Sequence, residues 1–181
     1  MSSDLIRISG IAPASVVDGP GYRYTLFTQG CTHHCEGCHN PQTHPIDGGY
    51  ERDYHEILSE FLADPLLDGM TLSGGEPFLQ AEVLAKLAAE VKARGKSVAI
   101  YSGYTLEELV EGENPHWKLL LEQCDLLIDG RFILAQKTTE APFRGSANQR
   151  IIRLPESLAQ GRVIEWQKPV YCDIPPIKVM R

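Results

Sequence analysis

Three cysteines fall within eight residues, Cys31-Thr-His-His-Cys35-Glu-Gly-Cys38, with the spacing C-x3-C-x2-C. Thiolates are the usual protein ligands of iron–sulfur clusters, and a [4Fe-4S] cube normally takes four of them. Three cysteines leave one iron without a protein ligand, which suits a cluster that must bind a substrate as well as pass electrons. The same loop carries His33, His34 and His39, and three thiolates with one imidazole also make a recognised structural zinc set. Three unligated loop thiols are a third reading. The total of five cysteines is odd, and their clustering points to metal or redox chemistry rather than a disulfide framework.

Four other segments carry residue types suited to a site. Ser73-Gly-Gly-Glu-Pro77 follows a short apolar run, and Gly74-Gly75 lets backbone approach a ligand closely. A plain strand-to-helix turn uses the same residues. Ser102-Gly103-Tyr104 and Asp129-Gly130-Arg131 each follow another apolar run. A solvated ion pair at a surface turn is the alternative for Asp129 and Arg131. Arg144, Asn148, Gln149 and Arg150 can contact a ligand, a partner or only each other. Cys124 precedes an apolar run and reads as a buried structural thiol, while Cys172 has no obvious companion. His44, His55 and His116 read as ordinary surface residues.

These segments need elements to position them. Tyr22–Thr28 is aromatic and β-branched, follows the turn-like Asp18-Gly-Pro-Gly21, and predicts a strand. Apolar residues recur at helical spacing in 52–63, ending at Asp64-Pro65. Met70–Leu72 predicts a strand; Val83, Leu84, Leu87, Ala88 and Val91 then share one helix face, with Gly95 just past its end. Ser97–Tyr101 predicts a strand, Thr105 and Glu108 a capping box, residues 116–123 a helix, and Asp125–Asp129 a buried strand. Strands alternating with helices imply an α/β fold with a mainly parallel sheet, whose C-terminal strand ends carry the site. From Leu154 onward the alternation is lost among Pro155, Pro169, Pro175 and Pro176, and the chain reads as an irregular extension.

The 181 residues suit one domain, and 43% apolar with 23% charged residues is ordinary for a globular protein. A net charge of −7 without a basic run gives no support for nucleic-acid binding. The start, MSSDLIRISG, lacks the pattern of a secretory signal, and no apolar stretch approaches a membrane span, so a cytoplasmic location is expected.

A C-x3-C-x2-C loop after one strand and a GGEP loop after the next resemble the radical S-adenosylmethionine (SAM) superfamily. More narrowly, five segments resemble the glycyl-radical activases that serve anaerobic ribonucleoside-triphosphate reductase. They are Asp18-Gly-Pro-Gly-Tyr-Arg23, Gly30-Cys-Thr-His-His-Cys-Glu-Gly-Cys-His-Asn40, Leu72-Ser-Gly-Gly-Glu-Pro77, Ile128-Asp-Gly-Arg131 and Arg144-Gly-Ser-Ala-Asn-Gln-Arg150. They span residues 18–150; the cysteine and GGEP motifs mark the superfamily, and the RGSxNQR run narrows it. The chain departs from the pattern at Gly37, where an aromatic often precedes the third cysteine, and at His39, where an aromatic commonly follows it.

The resemblance implies an incomplete βα barrel over residues 1–154 with an irregular C-terminal extension over 155–181. It implies a [4Fe-4S] cluster on Cys31, Cys35 and Cys38 as the catalytic and metal-binding centre. It also implies SAM contacts from Gly37, Cys38, His39, Gly74, Gly75, Glu76, Ser102, Asp129 and Arg131. The GGEP loop would take the methionine amino group, and the Asp129–Arg131 pair the ribose or carboxylate. One-electron cleavage of SAM would then yield methionine and a 5′-deoxyadenosyl radical, which abstracts hydrogen from a glycine of the reductase. The implied electron donor is flavodoxin- or ferredoxin-like. Activation of another glycyl-radical enzyme, such as pyruvate formate-lyase, a small-molecule radical SAM reaction and a SAM-independent metal module are the alternatives.

Overall fold

Alternation along the strands gives the sheet two unlike faces, one apolar and one polar. The computed structural model describes residues 4–167. Cys172, Pro169, Pro175, Pro176 and the rest of the expected extension beyond 167 lie outside the described residues. The strands are β1 (Leu5–Ser15), β2 (Arg23–Thr28), β3 (Tyr50–Asp53), β4 (Gly69–Gly74), β5 (Ser97–Tyr101), β6 (Leu126–Asp129) and β7 (Arg150–Arg153). They form one open seven-stranded sheet in the order β3-β1-β2-β4-β5-β6-β7. The central run β2-β4-β5-β6 is parallel. Antiparallel β1 and β3 extend one edge, and antiparallel β7 closes the other. The α/β class with a mainly parallel sheet is therefore as expected, and the open sheet is what an incomplete barrel requires.

Five helices accompany the strands: α1 (Tyr54–Leu62), α2 (Ala81–Ala93), α3 (Leu106–Glu111), α4 (Pro115–Glu122) and α5 (Leu154–Gln160). Their ends follow local chemistry. Asp53 caps α1 by accepting from the His55 N–H, and Thr105 with Glu108 forms the full capping box of α3. Pro115 opens α4 behind Asn114, and Gly95, at φ 72°, takes the left-handed position past α2. The expected helix over 52–63 begins two residues later, because Arg52 and Asp53 pair with β1. Residues 154–160, expected to be irregular, are helical: Pro155 occupies the first turn, where its missing N–H costs nothing. Leu154 is buried in the core, and the chain returns along β7 through the Trp166 N–H to the Ile151 carbonyl.

Tyr24, Leu26, Met70, Leu72, Val98, Ile100, Leu127 and Ile152 form the strand side of the main core, packed with Phe61, Leu84, Leu87 and Leu121 from the helices. The intervening residues Arg23, Thr25, Thr71, Ser73 and Tyr101 fall on the opposite face by the two-residue period of a strand. Arg23 is almost fully buried there. Its guanidinium donates to the Thr71 hydroxyl at 3.0 Å, the Ser97 hydroxyl at 2.6 Å and the Met70 carbonyl. Burial pulls its pKa down to about 10, which still leaves it charged at neutral pH. The Thr71 hydroxyl in turn donates to the Asp18 carbonyl at 2.8 Å, fastening the DGPG turn to β4. Gly69 has no alternative, since a Cβ would sit 2.1 Å from the Ser97 carbonyl oxygen and 2.6 Å from Arg23 Nη1.

Removing the Arg23 donors would strand buried acceptors on two strands. Arg23→Met is expected to destabilise the fold by roughly 1–3 kcal/mol, read as a lower urea midpoint. Arg153→Met, at an exposed position, should leave the midpoint nearly unchanged.

Candidate functional site

The loops leaving the parallel strands at their C-terminal ends meet through backbone bonds. The Gly75 N–H donates to the Thr28 carbonyl at 2.8 Å and the Glu76 N–H to the Gly30 carbonyl at 2.7 Å, joining the GGEP loop to the cysteine loop. The Ser102 N–H donates to the Ile128 carbonyl and the Gly130 N–H to the Tyr104 carbonyl. Between these loops lies a cavity of about 490 Å³, a volume suited to a bound cofactor. Its walls include Cys31, Cys35, Cys38, His39, Gly74, Gly75, Ser102, Gly103, Phe132, Phe143 and Arg144.

The three thiols are half-buried. Burial pushes the Cys31 thiol up, partly opposed by the nearby His33 backbone N–H. The Asn40 N–H lies 3.4 Å from the Cys38 sulfur. Among the described residues, no three His, Cys, Asp or Glu side chains are placed to hold a single metal ion. The loop histidines are engaged elsewhere: His33 Nε2 lies 2.7 Å from Glu76, His34 meets the His44 ring at 5.6 Å, and His39 meets Phe132 at 4.8 Å between ring centres. Three separate thiols around one cavity instead fit a cluster that seats each thiolate on a different iron.

Glu76 is fully buried beneath the cavity rather than on its wall. Its carboxylate accepts from the Phe78 N–H at 3.0 Å, the Gly103 N–H at 2.8 Å, the Ser102 hydroxyl at 3.0 and 3.1 Å, and His33 at 2.7 Å. Gly75 has no room for a side chain, because a Cβ would lie 2.2 Å from the Gly30 carbonyl oxygen.

Asp129 and Arg131, expected to contact SAM together or to form a solvated ion pair, do not pair with each other. Asp129 is buried, accepts from the Leu106 N–H at 2.8 Å and pairs with Arg150, whereas Arg131 is exposed and absent from the cavity wall. Gly130, at φ 96°, turns the chain between them, so the two-residue period of the strand does not carry from Asp129 to Arg131. Arg150 also holds Glu107, whose pKa falls to about 2. That depressed value adds stability at neutral pH which is lost as pH falls toward 2, and exposure of Glu107 keeps the contribution small. Gly37 likewise lies off the wall, against Leu134. His44 does line the cavity, contrary to its reading as a surface residue.

Arg144 is the wall residue least legible beforehand. Its Nη1 donates to the Gln149 carbonyl at 3.1 Å, while its buried Nε has no partner. Gln149 accepts from the Gly145 and Ser146 N–H groups and donates to the Gly130 carbonyl, whereas Asn148 donates to the Arg131 carbonyl but leaves its own buried Oδ1 without a partner. The Arg144 guanidinium, on the cavity wall, suits an anionic ligand.

Residues 17–152 match the family model described as a 4Fe-4S single cluster domain. The chain is 40% identical over 151 residues to the anaerobic ribonucleoside-triphosphate reductase-activating protein of Vibrio cholerae, covering 78% of this chain and 94% of that protein. It is 36% identical to the protein of the same name from Haemophilus influenzae, over 78% and 94% of the two chains. For the Escherichia coli K12 protein the figure is 32%, over 78% and 95%.

Cys124 is buried, and burial pushes its thiol far above the usual range. Iodoacetamide treatment of cluster-free native protein should therefore modify Cys31, Cys35 and Cys38 and spare Cys124 until denaturant is added, as read by peptide mass spectrometry. Labelling of Cys124 at the rate of the loop thiols would contradict this packing.

Proposed function

The chain belongs to the family of anaerobic ribonucleoside-triphosphate reductase-activating proteins, and from that membership we propose how its own residues serve the reaction. It is a radical SAM activase, an oxidoreductase that works with a [4Fe-4S] cluster and SAM to activate the anaerobic reductase. Cys31, Cys35 and Cys38 would hold the cluster. The reading is carried by one observation: these three thiols share a cavity with Gly74, Gly75 and Arg144.

When bound and reduced, the cluster supplies one electron that breaks the S–C5′ bond of SAM, giving methionine and a 5′-deoxyadenosyl radical. The protein's part is binding, orientation and exclusion of water. Gly74 and Gly75 present bare backbone to the methionine amino group. The Arg144 guanidinium donates to its carboxylate, a charge-assisted bond of the strong kind. His39 and Phe132, already in ring contact, flank the adenine, and Ser102 lies on the same wall. Glu76 and Asp129 act from behind by fixing the loops, and neither Gly37 nor Arg131 touches the ligand. The cavity mouth admits the glycine-bearing loop of the reductase. The electron donor is flavodoxin- or ferredoxin-like, as one-electron reduction of a low-potential cluster demands, and the reducing cytoplasm is the compartment that keeps these thiols available. Among the described residues no helix is long and apolar enough to cross a membrane.

Anaerobic reconstitution with iron and sulfide, reduction with dithionite and addition of SAM should release 5′-deoxyadenosine. Cys31→Ala, Cys35→Ala and Cys38→Ala should each reduce product to background. With the anaerobic reductase added, a glycyl-radical doublet should appear in its electron paramagnetic resonance spectrum; a doublet only with pyruvate formate-lyase would reassign the partner. No product from protein carrying a full, reducible cluster would overturn the reading. Arg144→Gln should raise the KM for SAM roughly 10-fold while leaving cluster content unchanged.

A further inference from the structure

Beyond residue 152, where the family match ends, the chain comes back onto the cavity side of the sheet. The Ser157 hydroxyl of α5 accepts from the Ile164 N–H at 2.9 Å, and the Arg153 N–H donates to the Ile164 carbonyl at 2.8 Å. The Trp166 N–H then donates to the Ile151 carbonyl at 2.7 Å, so residues 164–166 run along the outer edge of β7. Trp166 packs into a small apolar cluster apart from the main core, with Ala99, Ile128, Ile151, Tyr101 and Phe143. Its ring centre lies 6.0 Å from that of Phe143. Phe143 belongs to the hairpin 137–146, which is joined by a Lys137–Ser146 bridge and by the Thr138 N–H to the Gly145 carbonyl at 3.1 Å. This hairpin gives Lys137, Phe143 and Arg144 to the cavity wall. Phe143 holds φ at 61°, a left-handed conformation that a phenylalanine keeps only when its surroundings enforce it. Two contacts do so here: the Trp166 ring, and the Tyr101 hydroxyl, which donates to the Phe143 carbonyl at 2.9 Å.

We propose that Trp166 is a positioning residue whose ring braces the 137–146 hairpin and thereby presents Arg144 to SAM. This rests on the proposed contact between Arg144 and the SAM carboxylate. A pair of aromatic rings in contact fixes both their separation and their tilt, here 55°. Phe143 and Arg144 are neighbours in the chain, so releasing the ring also frees the guanidinium that follows it. A ligand whose wall residue is in place for only part of the time binds more weakly by that fraction. The chemistry at the cluster is untouched, because Trp166 is absent from the cavity wall.

The test is anaerobic hydrogen–deuterium exchange on the reconstituted full chain without SAM, for wild type, Trp166→Ala, Trp166→Phe and Tyr101→Phe, with SAM kinetics on the same samples. In Trp166→Ala, peptides covering 137–147 should exchange roughly 10-fold faster while α2 keeps its protection. The KM for SAM should rise roughly 5-fold, with cluster content and kcat for 5′-deoxyadenosine release unchanged. Trp166→Phe keeps a ring against Phe143 and should recover most of both. Tyr101→Phe removes the second contact and should speed exchange of the same peptides. Faster exchange confined to residues 150–160, with 137–147 as in wild type, would mean that Trp166 supports only the β7 edge, and overturns the inference. So does a faster hairpin with an unchanged KM. Where Trp166→Ala loses protection in α2 as well, Trp166→Leu, which fills more of the space but offers no ring, carries the same comparison. A wild-type chain that binds no SAM would instead remove the reading of Arg144, and exchange would still decide whether Trp166 holds the hairpin.

Discussion

The site is organised by a carboxylate that water cannot reach. Burying Glu76 would cost several kcal/mol if its oxygens lacked partners. The fold supplies the Phe78 and Gly103 N–H groups, the Ser102 hydroxyl and the His33 ring. These donors belong to three different loops, and all three must be in place for the carboxylate to be satisfied. A buried polar group of this kind adds little net stability but specifies one arrangement, because every displaced loop leaves it unpaired. The cysteine loop, the GGEP loop and the Ser102–Tyr104 loop are thus fixed relative to one another through a single side chain beneath the cavity floor.

Arg23 does the corresponding work on the polar face of the sheet. It links β2 to β4 and β5, and through the Thr71 hydroxyl it holds the DGPG turn whose Asp18 reaches the cavity wall. The helices seal the opposite face with aliphatic side chains. One face therefore supplies stability through apolar burial, and the other is left free for hydrogen-bonded groups and a ligand. The chain carries a net charge of −7, but Arg144 and Lys137 line the cavity. That local concentration of donors suits the carboxylate end of SAM.

Much of this was legible in the sequence, for physical reasons. Aliphatic, aromatic and β-branched residues gather in the central strands, so β2, β4, β5 and β6 stood out from the turns around them. Thr105 and Glu108 announced the start of α3 because capping is local chemistry. The edge strands were harder: β3 is Tyr-Glu-Arg-Asp, polar and half-exposed, and carries no apolar signal. Pro155 suggested an ending, although a proline in the first turn begins a helix equally well. The cysteine spacing disclosed the cluster loop, but the partners of buried charges could not be read. Asp129 finds Arg150, 21 residues away, instead of Arg131 beside it. Glu76 was expected near SAM and lies beneath the cavity instead of on its wall, since a motif fixes which residues meet in a loop and not which way each side chain turns. For Arg144 the sequence left ligand, partner and neighbour equally open, and its place on the cavity wall favours a ligand.

The central claim is that three thiolates leave one iron open within the cavity that receives SAM. Electron–nuclear double resonance on the reduced wild-type protein, with SAM carrying nitrogen-15 in its amino group, tests it most directly. The account predicts a hyperfine coupling from that nitrogen, marking a bond to the open iron. A fully loaded cluster that binds SAM without such a coupling would contradict it.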